Sequence, residues 1–337
     1  MATVPAWDKL GFDFTETRSM VKYNWKDGAW DAGTLTTDLN VTIHGLSNVL
    51  HYGQGIFEGL KAHHCKDGQV RVFNSGANAA RLASGCQRLA MPEVSPEMFD
   101  EGLDRLIADN MDFVPPYGSG GSMYIRPFLV GSGPILGLQP CNEFQLMVSV
   151  TPVGNYFGKG GLKGIHANVM VDFDRAAPHG TGDVKAGGNY AADLLPLKQA
   201  KEEGFGTTLY LDCKERKYIE EFSVSNFLGI SASGAYVTPS SGSILPSITN
   251  QMLMQLARDA GLEVEHRPVE YSELPSFKEV GACGTATVVA PIASITDAKG
   301  KHEFPTFDIL NKLRMQLQKV QYGEAEDKHG WMEEVSC

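Results

Sequence analysis

A glycine-rich stretch lies near the middle of the chain, where residues 154–161 read GNYFGKGG. The chain has 337 residues, and a single hydrophobic core stops growing at roughly 250 to 300 residues. Glycine-rich segments in such a position are typical of exposed connections between domains. The sequence therefore predicts an N-terminal domain over 1–153, an interdomain loop over 154–164 and a C-terminal domain over 165–337.

The composition excludes several classes of protein. Apolar residues make up 42% of the chain and charged residues 20%, which is ordinary for a globular protein. The net charge of -11 leaves no surplus of cations to neutralise a nucleic acid, and no apolar run approaches the roughly 18 residues of a membrane-spanning helix. We therefore expect a soluble protein without nucleic acid or membrane partners. Its expected location is cytoplasmic, or mitochondrial or plastid if a transit peptide is missing.

The cysteines indicate a reducing compartment. The six cysteines are scattered and form no Cys-x-x-Cys pair, which argues against a structural zinc site. His63, His64 and Cys65 could suggest a metal, but Lys66-Asp67-Gly68 follows them directly and favours an exposed turn. The sequence predicts no metal site.

Hydrophobic periodicity predicts both helices and strands. Residues 78–89 space apolar side chains at three and four positions, which indicates a helix that carries Arg81 and Arg88. Further helices are predicted at 191–203 and at 249–260, before Gly261. Strands are predicted at 123–130, 144–150, 165–171, 207–212 and from 286 onwards. Residues 41–61 are interpreted as a strand that enters a helix or turn, and the acidic end after Glu324 as a solvated tail.

Two glycine-rich segments resemble nucleotide-binding motifs, but neither segment matches its motif. GTGDVK at 180–185 has Lys185 where a dinucleotide fingerprint needs its third glycine. The segment 154–159 is one residue short of a P-loop, and Gly160 replaces the hydroxyl residue that would hold magnesium. Lys185 itself stands among glycines. A lysine is most often a solvated charge, but one buried beside a cation or an apolar wall has a lowered pKa and can form an imine with an aldehyde.

Seven motifs carry a family resemblance. They are, in order, HYGQGIFEGLKA, MYIRPFLVGSG, VGNYF, GTGDVKAGGNYA, YIEEFSVSNF, GSILPSITNQ and GTATVVAP. From about Trp7 to beyond Ile295 the chain resembles the branched-chain aminotransferases, which are pyridoxal phosphate (PLP) enzymes of fold type IV. The resemblance implies an α+β or α/β chain with the two-domain fold of the D-amino acid aminotransferase type. A fold of this type consists of a small N-terminal α/β domain and a larger C-terminal pseudo-barrel domain, so we expect both here.

The resemblance implies the chemical roles of two residues. Lys185 matches the lysine that holds the cofactor as a Schiff base and then moves the proton between the substrate α-carbon and C4'. Glu221 matches the carboxylate that keeps the pyridine nitrogen protonated. Glu220 is the rival, but the family's glutamate precedes an asparagine by five positions, and Asn226 stands there. Glu220 is expected to be a solvated charge.

The resemblance also implies the residues that hold the rest of the cofactor. Arg81 matches the arginine offered to the phosphate, whereas Arg88 is expected at the surface. Tyr190 matches a tyrosine at the phenolic oxygen. The remaining implied phosphate contacts are the N–H groups of Ile248 and Thr249 at a helix start and the hydroxyl of Thr285. From the residues alone, aromatic packing, helix capping and strand packing explain these positions equally well.

The implied substrate pocket combines aromatic walls with one polar corner. Its members are Tyr52, Phe57, Tyr124, Arg126, Tyr156, Thr285 and Ala286. Arg126 is expected to help accommodate the distal carboxylate of glutamate, while the aromatic walls accept branched aliphatic side chains. Leu136 and Leu138 match a loop that reaches the neighbouring subunit's pocket, so the resemblance implies a homodimer.

The function implied is reversible transfer of the amino group from L-leucine, L-isoleucine or L-valine to 2-oxoglutarate. Two alternatives stay open: a fold type IV transaminase for D-amino acids or (R)-amines, and a non-catalytic PLP-binding protein. The chain departs from its animal relatives in having Thr287 and Ala290 where they carry a redox cysteine pair, and Cys283 alone does not rebuild that pair. The segment FNSGANAARL around Arg81 is a second departure from the family pattern.

Overall fold

The computed structural model describes residues 3–154 and 164–335. The chain divides into two compact units. Unit 1 comprises Met1–Gly158, Val184–Gly187 and Val320–Cys337, and unit 2 comprises Lys159–Asp183 and Gly188–Lys319. Within the described ranges, no helix is both long and apolar enough to cross a membrane.

Unit 1 is built on one open, largely antiparallel sheet. Its strands are β1 (Met20–Lys26), β2 (Ala29–Trp30), β3 (Thr34–Thr36), β4 (Gly55–Phe57), β5 (Leu60–His64), β6 (Val70–Phe73), β7 (Ser122–Gly131), β8 (Phe144–Val153) and β19 (Met332–Glu334). Their order is β19-β6-β5-β7-β8-β1-β2, with β3 paired to β1 and β4 paired to β7. The helices are α1 (Asn48–Tyr52), α2 (Ser75–Arg88) and α3 (Pro96–Asp109), with 3-10 turns at Trp7–Lys9 and Met111–Phe113.

One face of this sheet forms the hydrophobic core of unit 1. Met123, Ile125 and Leu129 alternate along β7 and point into the core, because successive side chains of a strand face opposite sides. Leu82 and Cys86 of α2 belong to the same core at helical spacing. The intervening residues of β7, which include Tyr124 and Arg126, therefore lie on the opposite face.

Unit 2 is built on a sheet that closes on itself. Its strands are β9 (Ile165–Met170), β10 (Thr207–Leu211), β11 (Tyr218–Phe222), β12 (Ser225–Ile230), β13 (Tyr236–Pro239), β14 (Val264–Arg267), β15 (Val269–Glu270), β16 (Glu279–Gly284), β17 (Val288–Asp297) and β18 (Gly300–Glu303). The order β12-β16-β17-β9-β10-β11 returns to β12, because β11 also pairs with β12. This ring confirms the expected pseudo-barrel. Its helices are α4 (Gly187–Glu202), α5 (Ile248–Asp259) and α6 (Asp308–Gln321), with a 3-10 segment at Tyr271–Ser276.

The predicted fold class and most predicted elements are confirmed. The helix expected at 78–89 is α2, and the one expected at 249–260 is α5. The helix α5 ends just before Gly261, whose φ is 79°. The helix α4 begins four residues earlier than 191, at Gly187. The strands expected at 123–130, 144–150, 165–171 and 207–212 correspond to β7, β8, β9 and β10, and β17 begins at Val288 rather than 286.

Two predictions for unit 1 were wrong. Residues 41–61 do not begin with a strand that enters a helix or turn: the short helix α1 comes first, Gly53 ends it at a φ of 67°, and β4 and β5 follow. The acidic end is not a solvated tail throughout, because β19 pairs with β6. The predicted boundary at 154–164 stays a prediction, while this pairing explains why the chain end groups with unit 1.

Candidate active site

The main chain at Lys185 runs beside β4 within unit 1. The Phe57 amide donates a hydrogen bond to the Lys185 carbonyl over 3.1 Å, and Ile56 forms an antiparallel bridge with Ala186. These two contacts hold the lysine as the extension of a sheet, which is a rigid support for a functional side chain.

The environment of Lys185 favours its uncharged form. Burial lowers the pKa of its amine to about 8, and the positive charge of Arg81 acts in the same direction. Glu58 opposes this shift. The Nζ atom lies 4.8 Å from the centroid of the Phe57 ring. A lysine amine that loses its proton this readily is suited to attack an aldehyde.

Arg81 forms a buried ion pair with Glu58. Its Nε donates to Oε1 and its Nη2 to Oε2, each over 2.7 Å. Asn78, one helical turn earlier on α2, donates to the same carboxylate over 2.7 Å. Arg88 is exposed at the end of α2, as predicted. The segment before Arg81 departs from the family pattern but still forms a regular helix. That helix presents Asn78 and Arg81 to one carboxylate.

A polar corner lies on the face of the unit 1 sheet that is not the core. Arg126 Nη2 donates to the Tyr124 hydroxyl over 2.9 Å, and the Arg126 guanidinium lies 4.7 Å from the centroid of the Phe57 ring. Gly59 is required beside them, because a Cβ there would come within 2.2 Å of the Tyr124 hydroxyl. Phe57, Tyr124 and Arg126 are therefore neighbours, and their assignment to a substrate pocket stays a prediction.

The predicted partner loop is exposed and is tied to Tyr52. The Tyr52 hydroxyl donates to the Leu136 carbonyl over 2.5 Å. Leu136 is 74% exposed and Leu138 is 83% exposed, which is unusual for two leucines so close together. Tyr156, the remaining predicted pocket residue of the first half, lies outside the described residues.

In unit 2, Glu221 is a buried carboxylate on β11 with several donors. The Leu245 amide and the Arg175 Nη1 each approach its Oε1 within 2.9 Å, and Asn226 donates to Oε2 over 3.4 Å. The predicted spacing to Asn226 thus corresponds to a direct contact, because β11 and β12 pair at these two positions. Cationic and N–H partners of this kind favour the ionised carboxylate.

Glu220 is not a solvated charge, so that expectation was wrong. It is 2% exposed, and its carboxylate accepts a hydrogen bond from Ser241 over 2.9 Å. Burial raises its pKa. The reason is that β11 is covered on both sides, so that neighbouring side chains on opposite faces are both buried.

The N-terminus of α5 carries the predicted backbone donors. The helix begins at Ile248 and Thr249, as expected, and the Ser247 hydroxyl caps it by accepting from the Asn250 amide over 3.1 Å. Thr285 and Ala286 lie in the turn between β16 and β17. Val288 follows at a φ of 61°, which is strained for a β-branched residue and is the kind of strain found at binding sites.

Tyr190 lies in the first turn of α4 and is half-buried. The adjacent Asn189 fixes this turn, since its amide donates to the Thr181 carbonyl over 2.6 Å and its oxygen accepts from the Thr181 hydroxyl over 2.7 Å. The glycine-rich segment before Lys185 therefore serves as an anchor for the start of α4.

The histidine cluster is not an exposed turn, so that expectation was also wrong. His63 and Cys65 are buried, and β5 extends to His64. Burial lowers the pKa of His63 to about 3. Among the residues that the structure describes, no group of three or more His, Cys, Asp or Glu side chains is placed to hold a metal ion.

Sequence reasoning missed three residues of these clusters: Glu58, Asn78 and Arg175. The signal for Glu58 was a carboxylate inside the apolar run GIFEGL, since an acidic residue is seldom buried without a partner. Asn78 and Arg175 had no comparable signal, because each acts through a residue distant in the sequence.

Known proteins resemble this chain in sequence and in fold. The sequence matches the amino-transferase class IV family over residues 55–295. It is 43% identical to the branched-chain-amino-acid aminotransferase of Haemophilus influenzae, with 98% of each chain covered. It resembles the crystal structure of the Escherichia coli branched-chain amino acid aminotransferase with a TM-score of 0.77 at 26% identity, covering 94% of this chain and 100% of the other.

A third relative shows the same fold. The branched-chain amino acid aminotransferase from Thermobaculum terrenum, solved in its PLP form, superimposes with a TM-score of 0.78 at 22% identity, covering 96% of this chain and 99% of the other. The matched family consists of PLP-dependent enzymes with this two-sheet fold, which is fold type IV. The chain belongs to the class IV aminotransferases.

Proposed function

We propose that this protein transfers the amino group from L-leucine, L-isoleucine or L-valine to 2-oxoglutarate, reversibly, with PLP as its cofactor. The observation that carries the proposal is Lys185, which is hydrogen-bonded to β4 through the Phe57 amide and whose amine has its pKa lowered to about 8 by burial. The near full-length identity of 43% to a branched-chain enzyme supports the substrate class over D-amino acids and (R)-amines.

The residues present fit PLP. In unit 1, Lys185 offers a reactive amine to the aldehyde, and Arg81 offers a guanidinium to the phosphate. In unit 2, the buried carboxylate of Glu221 suits a protonated pyridine nitrogen, and the Ile248 and Thr249 amides suit phosphate oxygens. We assign Tyr190 to the phenolic oxygen and Thr285 to the phosphate.

When bound, PLP supplies an aldehyde that captures the amino group and a ring that takes up electrons from the α-carbon. Lys185 then acts as the base, because Nζ with a lowered pKa accepts the α-proton near neutral pH and can return it. Glu221 holds a proton at the pyridine nitrogen. Its ion pair with Arg175 and the hydrogen bond from the Leu245 amide are contacts that favour a carboxylate at this position.

We assign the substrate contacts in the same way. Arg126 and the Tyr124 hydroxyl form the polar corner for the distal carboxylate of glutamate. The further substrate residues are Tyr52, Phe57, Tyr156, Thr285 and Ala286. The Phe57 ring, which lies against both Lys185 and Arg126, is suited to contact an aliphatic side chain near the reacting amine.

A half-reaction tests this function. The purified protein with PLP is mixed with L-leucine, and separately with D-alanine and an (R)-amine, and formation of pyridoxamine phosphate is followed by absorbance. We expect conversion with L-leucine alone. Conversion only with D-alanine or the amine would overturn the substrate class, and no conversion with any of the three would indicate a non-catalytic PLP-binding protein.

We also propose a homodimer in which the loop carrying Leu136 and Leu138 contacts the second copy. Their exposure and the hydrogen bond from Tyr52 support this, because two exposed leucines on one loop are suited to a protein interface. The double variant Leu136→Ser/Leu138→Ser should shift the mass measured by light scattering towards the monomer. Val224→Ser, which also removes an exposed apolar side chain, should not. An unchanged dimer in the double variant would contradict the assignment.

We propose that the protein is cytoplasmic, with the mitochondrion or the plastid as the alternative. Cys65, Cys86, Cys141, Cys213 and Cys283 are all free thiols, a state that reducing compartments maintain. Cell fractionation with a specific antibody tests this, and recovery from an oxidising compartment would contradict it.

A further inference from the structure

Glu58 is a buried acid that the proposed mechanism has not used. Its side chain is 1% exposed, and it lies between β4 and β5. Its own amide donates to the Pro127 carbonyl over 2.8 Å, and the Gly59 amide approaches its Oε2 within 3.2 Å. Contacts other than those with Arg81 therefore hold both the main chain and the carboxylate of Glu58.

The contact between Glu58 and Arg81 is a two-point fork. Two parallel hydrogen bonds of 2.7 Å join the Nε and Nη2 edge of Arg81 to the two carboxylate oxygens. Such a fork fixes the plane of a guanidinium as well as its position. Asn78 adds a third donor to Oε2 over 2.7 Å.

We propose that Glu58 is a positioning residue, which fixes the orientation in which Arg81 receives the phosphate of the cofactor. This inference rests on the proposed function, because it presumes that PLP is the ligand. An arginine held this way does not lose side-chain freedom when the phosphate binds, so its contact with the phosphate is stronger than that of a mobile side chain.

The charge of Glu58 has a second effect on the same group of residues. Arg81 lowers the pKa of Lys185, whereas Glu58 raises it. Glu58 therefore offsets part of the influence of Arg81 on the lysine. Removing only the Glu58 charge should lower the pKa of Lys185, which a purely structural role of Glu58 would not predict.

The first test separates phosphate binding from aldehyde chemistry. The full-length chain is stripped of cofactor and titrated with PLP and with pyridoxal, which lacks the phosphate. In Glu58→Gln we expect the Kd for PLP to rise roughly tenfold or more, while the affinity for pyridoxal does not fall. Equal loss of affinity for both ligands, or no loss for either, would overturn the proposal.

The second test uses pH. The rate at which Lys185 of the stripped protein combines with pyridoxal is measured against pH, and its midpoint should move to lower pH in Glu58→Gln. The matched control is Glu279→Gln. It removes another buried carboxylate, one that accepts from the Ile309 and Leu310 amides, and it should leave the midpoint unchanged. An unmoved midpoint in Glu58→Gln would count against the proposal.

A milder variant covers the case in which Glu58→Gln does not fold. Asn78→Ala removes one donor to Glu58 and keeps the charge, so it should weaken PLP binding less, with the same selectivity over pyridoxal and no shift of the midpoint. If this variant binds PLP like the unaltered protein, the proposal fails. If the unaltered protein neither binds PLP nor reacts with L-leucine, the proposed function fails instead.

Discussion

The Phe57 amide is hydrogen-bonded to the Lys185 carbonyl over 3.1 Å, and the Phe57 ring lies 4.8 Å from the Lys185 Nζ. One residue of β4 therefore fixes the lysine main chain and also forms part of the apolar surroundings of its amine. Desolvation of that amine is the largest cause of its lowered pKa.

The pKa of Lys185 predicts the pH dependence of its reactivity. An ordinary lysine has a pKa of about 10.4, whereas that of Lys185 is about 8. The uncharged fraction therefore rises as pH increases through 8, and the stripped protein should combine with an aldehyde at half its maximal rate near that pH. Lys185→Ala should lose both this reaction and transamination. A midpoint near that of ordinary lysines, or full turnover in the variant, would contradict the role of Lys185.

Gly59 predicts a substrate-selective effect. In Gly59→Ala the new Cβ would meet the Tyr124 hydroxyl at 2.2 Å, so the polar corner with Arg126 must shift. We expect the KM for 2-oxoglutarate to rise roughly tenfold, and the KM for L-leucine to rise less. Gly76→Ala is the control, because a Cβ there meets nothing within 4 Å. A uniform loss with both substrates would argue against the assignment of Arg126.

Glu221 and Glu220 are adjacent and both buried, which makes them a matched pair. Glu221→Gln should retain the cofactor but lower kcat by about a hundredfold or more, because an amide no longer holds the proton at the pyridine nitrogen. Glu220→Gln, which alters the contact with Ser241, should lower kcat far less. Stopped-flow measurement of the half-reaction with L-leucine decides between them, and equal effects would reject the choice of Glu221.

The hydrogen bonds of Asp193 predict that replacing this residue lowers the stability of the fold. This buried residue of α4 accepts hydrogen bonds from the hydroxyls of Tyr210 and Ser223. Asp193→Ala leaves both hydroxyls buried without that partner, at about 1 to 3 kcal/mol for each group. We therefore expect a clearly lower Tm in calorimetry. Lys198→Ala, at an exposed position of the same helix, should leave the Tm almost unchanged; a similar loss in both variants would contradict the explanation.

Local patterns in the sequence predicted the regular elements well. The helices α2 and α5 and the strands β7 to β10 were found because their apolar residues repeat at helical or strand spacing over one short segment. The motif around Lys185 was found because its glycines and lysine are contiguous. The chemical role of each site residue came from family resemblance rather than from periodicity.

Three of the errors, at His63, at Glu220 and at the chain end, share one physical cause, which is contact with distant parts of the chain. His63 and Glu220 are polar residues that sequence reasoning placed in solvent, yet both are covered in the folded protein. The end of the chain was interpreted as a tail because nothing local shows that Met332 pairs with Phe73. Solvent exposure depends on which strands become neighbours, and a single sequence does not contain that information.

The sequence by itself determined the family and the position of Lys185. It also determined the alternation of apolar and polar side chains along a strand, which separates the core face of a sheet from its polar face. Only the tertiary structure decided that Arg81 is joined to Glu58, and that β11 closes the ring with β12. The reason is that side-chain periodicity is a local property of the backbone, whereas the pairing of Glu58 with Arg81 depends on how a strand and a helix pack. Burial then strengthens the Coulomb attraction between the two charges, while their removal from water offsets part of that gain.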